Sequence, residues 1–218
     1  MCISPANLHR LFIKTPAWIR LLFKNYLWRM PATGNRVYLT FDDGPHPRIT
    51  PWVLEQLKTY SAKASFFCIG ENVERYPHTY QQILSAGHSV GNHTHTHPDG
   101  WQTSVSNYAR DVQQAAQFIQ SPLFRPPYGK IKSAQAQQLK TAMGVQPTVV
   151  MWDVLAADWD QAMTPQQCVD NVTKNVSAGS IVVFHDSEKA EKNLVYALPL
   201  VLDFLANKKF VLEKLEIQ

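Results

Sequence analysis

Short apolar runs alternate with longer amphipathic stretches along most of the chain. From residue 36 onward, runs such as "RVYLTF", "KASFFCIG" and "SIVVFH" have the length and composition of buried strands. Stretches with helical spacing of apolar residues follow them, for example "SVSNYARDVQQAAQFIQ" and "NLVYALPLVLDFLANK". Strand and helix alternate about seven times, an order that predicts parallel strands joined by helical crossovers.

Punctuation residues predict where several helices begin and end. Thr50-Pro51 and Thr164-Pro165 each place a capping residue before a proline, which is typical of a helix start. Gly144 follows an amphipathic stretch and predicts a left-handed helix end. "FVLEKLEI" predicts a last strand near the C-terminus.

The chain length limits the choice of α/β architecture. With 218 residues, 45% of them hydrophobic, one domain is expected. The alternatives are a (β/α) barrel and an open doubly wound sheet. A full eight-fold barrel takes about 250 residues, so we predict a compact or incomplete (β/α) barrel, a distorted TIM-like fold with about seven parallel strands.

The net charge of +4 is unevenly distributed. Residues 1–41 carry six Lys or Arg and no Asp or Glu, whereas the rest of the chain sums to −2. We predict that residues 1–35 form a basic, aromatic N-terminal segment packed on the fold, with a helix whose basic face is solvated, and that residues 36–218 form the main domain. The other interpretation is contact with an anionic membrane or a cell-wall polymer.

No targeting signal or membrane span is recognisable. The apolar stretch from Leu11 is interrupted by Lys14, Pro16, Arg20 and Lys24, and nothing approaches the ~20 apolar residues of a span. The expectation is therefore a cytoplasmic monomer, with peripheral envelope association or unconventional export left open. Nucleic-acid binding is disfavoured because the basic charge is confined to the N-terminus without a recognition motif.

The three cysteines do not form a recognisable site. They are widely spaced and include no C-x-x-C, which argues against a disulfide framework and a thiolate metal site. Cys68 is expected to be a small buried residue.

Two stretches carry candidate metal chemistry. "TFDDGP" ends the first strand with Asp42 and Asp43, and two adjacent carboxylates need a cation or hydrogen-bonding partners. "GNHTHTH" places His93, His95 and His97 at alternate positions. Imidazole is a common Zn²⁺ ligand, and catalytic sites typically use about three protein ligands. A strand would put all three histidines on one side, whereas a helical turn would separate His95, so the spacing allows three histidines or two plus a carboxylate.

Five motifs in order identify a family resemblance. "LTFDDGP", "GNHTHTH", "RPPYG", "DW" at 158–159 and "IVVFHD" resemble the motif set of the polysaccharide deacetylases, the NodB homology domain of carbohydrate esterase family 4. The resemblance covers roughly residues 36–186. It implies that residues 36–218 form the catalytic domain.

The resemblance also implies a metal site. Asp43, His93 and His97 match the family's ligands for a divalent metal, most often Zn²⁺, with Co²⁺, Ni²⁺, Mn²⁺ or Fe²⁺ as alternatives. His95 falls on a variable position and is not expected to bind the metal.

Further residues take roles from the same resemblance. Asp42 matches the catalytic base and His185 the catalytic acid, while Arg125 matches the arginine that holds the base. Tyr128 matches the residue whose backbone N–H contacts the oxyanion, and Trp159 matches the aromatic wall of the groove.

One motif departs from the family pattern. The fourth motif often has the form Asp-x-x-Asp-Trp, with its first Asp orienting the acid histidine, and Leu155 stands at that place. Asp153 or Asp158 would then substitute, or His185 would be less strongly tuned. Val183 replaces a commoner leucine, which should only reshape the pocket for the acetyl methyl group.

The implied function is metal-dependent removal of N-acetyl groups from N-acetylglucosamine-containing polysaccharide or oligosaccharide, peptidoglycan or chitin-like. The alternatives are an O-acetyl esterase or non-sugar amidase on the same scaffold, or a catalytically silent carbohydrate-binding relative. A silent relative is expected to have lost Asp42 or His185, and both are present.

Overall fold

The computed structural model describes residues 12–217, so Cys2 and Arg10 lie outside the described part. The strands are β1 (Arg36–Asp42), β2 (Ala64–Cys68), β3 (Ser89–Asn92), β4 (Leu123–Phe124), β5 (Thr148–Val149), β6 (Val154–Leu155), β7 (Ile181–His185) and β8 (Val211–Leu212). The helices are α1 (Ala17–Leu22), α2 (Ile49–Thr59), α3 (Gly70–Arg75), α4 (Pro77–Ser85), α5 (Val105–Ala116), α6 (Ser133–Met143), α7 (Pro165–Thr173) and α8 (Glu191–Asn207).

The strands form one curled, entirely parallel sheet. Their order is β5-β4-β3-β2-β1-β7-β6, with β8 paired to the start of β1. The longest strand, β1, lies near the middle, between β2 and β7. Helices surround the sheet, and the prediction of an incomplete barrel with about seven parallel strands is confirmed.

Successive side chains of β1 point alternately to the helices outside the sheet and to the inside of the barrel. Val37 and Phe41 pack in the cluster between sheet and helices, whereas Tyr38 belongs to the cluster inside the barrel. Thr40 and Asp42 share the inner face with Tyr38 because they are two and four residues further along. The strand thus delivers a carboxylate to the inner end of the barrel.

One predicted helix start is confirmed and one is wrong. Thr164 caps α7, and its hydroxyl accepts a hydrogen bond from the third residue of the helix. Helix α2 begins one residue before the predicted cap, at Ile49, with Thr50 inside the first turn. The Thr50 hydroxyl is used elsewhere: it accepts from the His46 N–H and donates to the buried Asp186.

Several short elements differ from the pattern. Gly144 ends α6 in the predicted left-handed conformation, with φ 70°. The predicted strand "PTVVMW" is regular only over Thr148–Val149, and the structure has two elements that were not predicted, α3 and β6. These missed elements are too short for a periodic signal.

The described part of the N-terminal segment lies along the open edges of the sheet. The Leu27 N–H donates to the Val149 carbonyl at 2.8 Å beside β5, and the Thr15 N–H donates to the Asp153 carbonyl at 2.8 Å beside β6. These contacts occupy edge groups that would otherwise face solvent. The division of the chain at residue 35 stays a prediction.

Three basic residues of this segment form ion pairs with the fold, whereas Lys24 is exposed. Lys14, Arg20 and Arg29 converge on the fully buried carboxylate of Asp153, which also accepts from the Ser180 hydroxyl. A buried carboxylate requires such compensation because its desolvation is costly. We expected the basic face of α1 to be exposed, but the exposed residues of this helix include the apolar Trp18, Leu21 and Leu22.

Across residues 12–217, none of the helices has the length and hydropathy that a membrane-spanning segment needs. The two described cysteines, Cys68 and Cys168, are both buried and free. The expectation of a small buried Cys68 is therefore confirmed.

Replacing Asp153 should destabilise the fold. In Asp153→Ala, three cations lose a shared buried partner, and the free energy of unfolding should fall by about 3 kcal/mol. Urea denaturation followed by circular dichroism measures this change. The matched control is Asp170→Asn, which removes an exposed pair with Lys174 on α7 and should leave the unfolding midpoint almost unchanged. Equal effects in both variants would contradict a stabilising role for the Asp153 cluster.

Candidate active site

Chemically active side chains lie where the parallel strands end. Asp42 is the last residue of β1 and His185 the last of β7, while His93 follows β3 directly. Arg125 follows β4, and Asp158 comes three residues after β6. In barrels the carboxyl ends of the strands lie on one face, so residues separated by more than 140 positions meet there.

Asp43, His93 and His97 form a compact group, the Asp–His–His cluster. One ligand atom from each lies within 4.8 Å of the others. Asp43 Oδ1 is 3.3 Å from His97 Nε2 and 3.7 Å from His93 Nε2. This oxygen is buried, yet it makes no hydrogen bond of good geometry within residues 12–217.

Local charges set the protonation states of the cluster. Burial opposes ionisation of Asp43, but the surrounding histidines outweigh burial and hold its pKa well below the ordinary value. Burial also lowers the pKa of His93 to about 4, because the low-dielectric interior disfavours the imidazolium. At neutral pH the cluster therefore offers a carboxylate and a neutral imidazole, the forms that bind metal.

The donor set fits a divalent cation. Two imidazole nitrogens and one carboxylate oxygen form a three-ligand set that Zn²⁺ uses in catalytic sites. His93 Nδ1 donates to the Arg125 carbonyl at 2.7 Å, which leaves Nε2 directed toward Asp43. Such an outer contact fixes the tautomer of a metal-binding histidine. The buried, unpaired Oδ1 of Asp43 is the atom that a cation would satisfy.

The loop that carries the histidines turns His95 away. The Asn92 side chain accepts from the Thr94 N–H at 2.8 Å, and Asp111 accepts from the His95 N–H at 2.6 Å. The His95 ring stacks on Phe118, with 6.0 Å between the ring centroids. The spacing left open whether all three histidines face the same side. The loop is neither strand nor helix, and these side-chain contacts direct His95 away from His93 and His97.

Asp42 is held by the buried guanidinium of Arg125. One nitrogen of Arg125 donates to Asp42 Oδ1 at 2.6 Å and to the Thr40 hydroxyl at 2.8 Å. The other guanidinium nitrogens donate to the carbonyls of Val150 at 3.2 Å and Met151 at 3.0 Å. The guanidinium is thus fixed by several acceptors, which limits the rotation of Asp42.

His185 is paired with Asp158. The Asp158 carboxylate lies 2.9 Å from His185 Nδ1 and accepts from the His185 N–H at 2.8 Å. Burial lowers the pKa of His185, but Asp158 and the two more distant aspartates near the end of β1 outweigh it and raise that pKa to about 9. The ring of Trp159 lies beside the imidazole, with 4.6 Å between the centroids.

These contacts resolve the departure at Leu155. Asp158, the acidic residue of the "DW" pair, makes the contact expected of the orienting carboxylate. Asp153 is engaged with the N-terminal cations instead, and Leu155 is buried in β6 beside Val183. Of the alternatives that the sequence left open, the contacts and the raised pKa of His185 favour Asp158 as the substitute.

Tyr128 lies beside the cluster on the side of His97. It sits in a 3₁₀ turn, Pro127–Gly129, with φ 58°. Its ring is 4.7 Å from the His97 ring and is 61% exposed. A non-glycine residue in the left-handed region is uncommon and is often found at a functional site.

Sequence reasoning missed Asp186. One of its buried oxygens accepts from the Gly44 N–H at 3.1 Å, and the other accepts from the Thr50 hydroxyl. Burial raises the pKa of Asp186 to about 7. A Cβ at Gly44 would lie 2.1 Å from the carboxylate, so this contact requires glycine beside Asp43. The available signals were the Asp directly after His185 and the glycine of "FDDGP".

Comparison with known proteins shows the family to which the chain belongs. The family model described as polysaccharide deacetylase matches residues 29–148. The chain belongs to the polysaccharide deacetylase family, which the sequence motifs had indicated.

Particular relatives are similar over most of the chain. A peptidoglycan-N-acetylglucosamine deacetylase of Bacillus cereus is 35% identical, covering 84% of this chain and 87% of the relative. A chitooligosaccharide deacetylase of Azorhizobium caulinodans is 33% identical, covering 72% of this chain and 77% of the relative. The crystal structure of the Bc1960 peptidoglycan N-acetylglucosamine deacetylase matches with a TM-score of 0.81 at 30% identity, covering 92% of this chain and 95% of that one.

Metal binding should depend on two of the three neighbouring histidines. Titration of metal-free protein with Zn²⁺ in a calorimeter should show one ion per chain, and His97→Ala should weaken binding by at least ~100-fold. The matched control is His95→Ala, which should retain the wild-type affinity because that ring packs against Phe118. Loss of affinity in the control, or its retention in His97→Ala, would show that the ligand set is wrong.

Proposed function

We propose that this chain is a metal-dependent N-deacetylase that acts on N-acetylglucosamine-containing polysaccharide or oligosaccharide, peptidoglycan or chitin-like, and releases acetate. The observation that carries the proposal is the meeting, at one end of the barrel, of the Asp–His–His cluster with the Asp42–Arg125 and His185–Asp158 pairs. The names of the relatives support the substrate class.

Asp43, His93 and His97 would hold the metal, for which we propose Zn²⁺. A divalent cation there would supply Lewis acidity toward an acetyl carbonyl and a water molecule. The cluster's donor set and the unpaired Asp43 Oδ1 support this assignment.

Asp42 acts as the general base. Asp42 is only 4% exposed, and Arg125 holds its carboxylate in place beside the cluster. It takes a proton from the attacking water, whose oxygen forms the new bond to the acetyl carbon. Arg125 is a positioning residue, because its contacts are with Asp42, Thr40 and backbone carbonyls.

Tyr128 and His185 act on two different atoms of the tetrahedral adduct that this attack forms. The Tyr128 N–H donates to the oxygen on which negative charge develops, a contribution typically of about 3 kcal/mol for one donor. The Asp158 carboxylate keeps His185 protonated. His185 gives this proton to the nitrogen as the carbon–nitrogen bond breaks, because a nitrogen that leaves without a proton is a poor leaving group. Acetate and a free amino sugar result. Trp159 lines the groove beside the acid.

Three expectations from the sequence remain predictions: a monomeric state, a cytoplasmic location and the absence of nucleic acid as a partner. The relatives' names concern cell-wall and chitin-derived glycans, and they support an acetylated amino-sugar polymer or oligomer as the partner.

Acetate release from chitooligosaccharides, peptidoglycan and acetylated xylan tests the function. We expect acetate from the first two, loss of activity on chelation, and recovery with Zn²⁺ or Co²⁺. Release from xylan alone would favour the O-acetyl esterase, and no release from any substrate would favour the silent binding relative. Full activity in metal-free protein would defeat the metal mechanism.

Asp42→Asn should lower kcat at least ~100-fold and keep its metal, because it removes only the base.

The pH profile should depend on Asp158. In Asp158→Asn the imidazolium loses its paired charge, so the pKa of His185 falls and the acid form is lost at lower pH. The alkaline limb of kcat/KM should then move to lower pH by about one unit. Rate measurements across pH 6 to 10 detect the shift, and Asp170→Asn, an exposed carboxylate of α7, should keep the wild-type limb. An unmoved limb in Asp158→Asn would refute His185 as the acid.

A further inference from the structure

An exposed aromatic surface continues outward from Tyr128. Trp101 is 57% exposed and Tyr128 is 61% exposed. The Lys130 ammonium lies 5.4 Å from the Trp101 ring centroid and 5.5 Å from that of Tyr128. Since Tyr128 contacts His97, a series of contacts connects the Asp–His–His cluster with Trp101 in the order His97, Tyr128, Lys130, Trp101. We call Trp101, Tyr128, Lys130 and Asp99 the Trp101 platform.

The turn that carries Trp101 is held firmly in place. Asp99 accepts from the Trp101 N–H at 2.9 Å and from the Lys130 ammonium at 2.6 Å. A Cβ at Gly100 would lie 2.2 Å from the Lys130 carbonyl oxygen, so the two segments are in close backbone contact. Gln135 donates to the Gly100 carbonyl at 2.8 Å. The Trp101 ring is therefore presented to solvent from a fixed turn.

Exposure of this ring is unfavourable unless something covers it. A tryptophan side chain buries a large apolar area when it finds a partner, and here more than half of it faces water. Sugar rings have apolar C–H faces and polar edges, which suit an aromatic ring flanked by hydrogen-bonding groups. A rigid platform binds such a ring at a small cost in conformational entropy.

The charge of the platform favours an uncharged sugar. The positive charge of Lys130 is balanced by the carboxylate of Asp99, 2.6 Å from the ammonium. The two groups also provide polar atoms beside the rings that can contact sugar hydroxyls. An anionic group would have to compete with the Asp99 carboxylate for the ammonium. The chemistry of the platform therefore suits a neutral N-acetylhexosamine unit.

We propose that the Trp101 platform is a further glycan subsite, which binds a sugar unit of the same chain beyond the one that is deacetylated. This inference rests on the proposed function. Trp101 is a binding residue in it. Longer oligosaccharides reach the platform and gain affinity from it, whereas the shortest ones do not.

The dependence of kcat/KM on oligomer length tests the subsite. Wild type, Trp101→Ala and Trp101→Phe are compared on chitooligosaccharides of two to six units. The advantage of the longest oligomer over the shortest should fall roughly tenfold in Trp101→Ala, through KM. Trp101→Phe should restore most of it because it keeps an aromatic face. The matched control is Trp18→Ala on α1, an equally exposed tryptophan, which should keep the wild-type length profile.

Binding without turnover provides a second readout. In an Asp42→Asn background, calorimetry of the longest oligomer should show a Kd about tenfold weaker when Trp101→Ala is added. The subsite proposal is overturned if Trp101→Ala lowers kcat/KM by the same factor for every oligomer length, or lowers it for none. Failure of the wild type to release acetate from any glycan would instead defeat the proposed function, and the calorimetric comparison would still decide the subsite.

Discussion

The buried guanidinium of Arg125 is the interaction on which the rest of the site depends. Its side chain holds Asp42 and Thr40 of β1, and its backbone carbonyl accepts from His93. One residue thus orients the proposed base and a proposed metal ligand. A fully buried cation without its anion is strongly destabilising, by about 3–5 kcal/mol, so Arg125 and Asp42 constrain each other. This constraint couples the geometry of the base to that of the cluster.

The sheet edge is connected to the same guanidinium. Arg125 donates to the carbonyls of Val150 and Met151, and the Met151 N–H donates to the Leu27 carbonyl. Leu27 belongs to the segment whose cations converge on Asp153. A chain of hydrogen bonds therefore runs from the N-terminal segment to the site. The segment covers the edges of the sheet and also helps to fix the position of Arg125.

Opposite environments separate the two proposed proton-transfer groups. Asp42 is bound to the guanidinium of Arg125, which fixes the direction of its carboxylate, whereas His185 is bound to the carboxylate of Asp158, which favours the imidazolium. In the proposed mechanism Asp42 accepts a proton and His185 donates one. Beyond them, the exposed residues Tyr128 and Trp101 belong to the platform for which we proposed a further sugar subsite.

The sequence by itself determined the strand–helix alternation, the parallel sheet and the identity of the residues at the strand ends, because period-two and helical patterns are local. It left open which histidines of "GNHTHTH" act together and which carboxylate contacts His185. Asn92 and Asp111 decide the first, and the path of the chain after β6 decides the second. The contacts of Asp186 with Gly44 and Thr50, of Trp101 with Lys130, and of the three cations with Asp153 all join residues far apart in the sequence. Such contacts have no local pattern, so only the tertiary structure decided them.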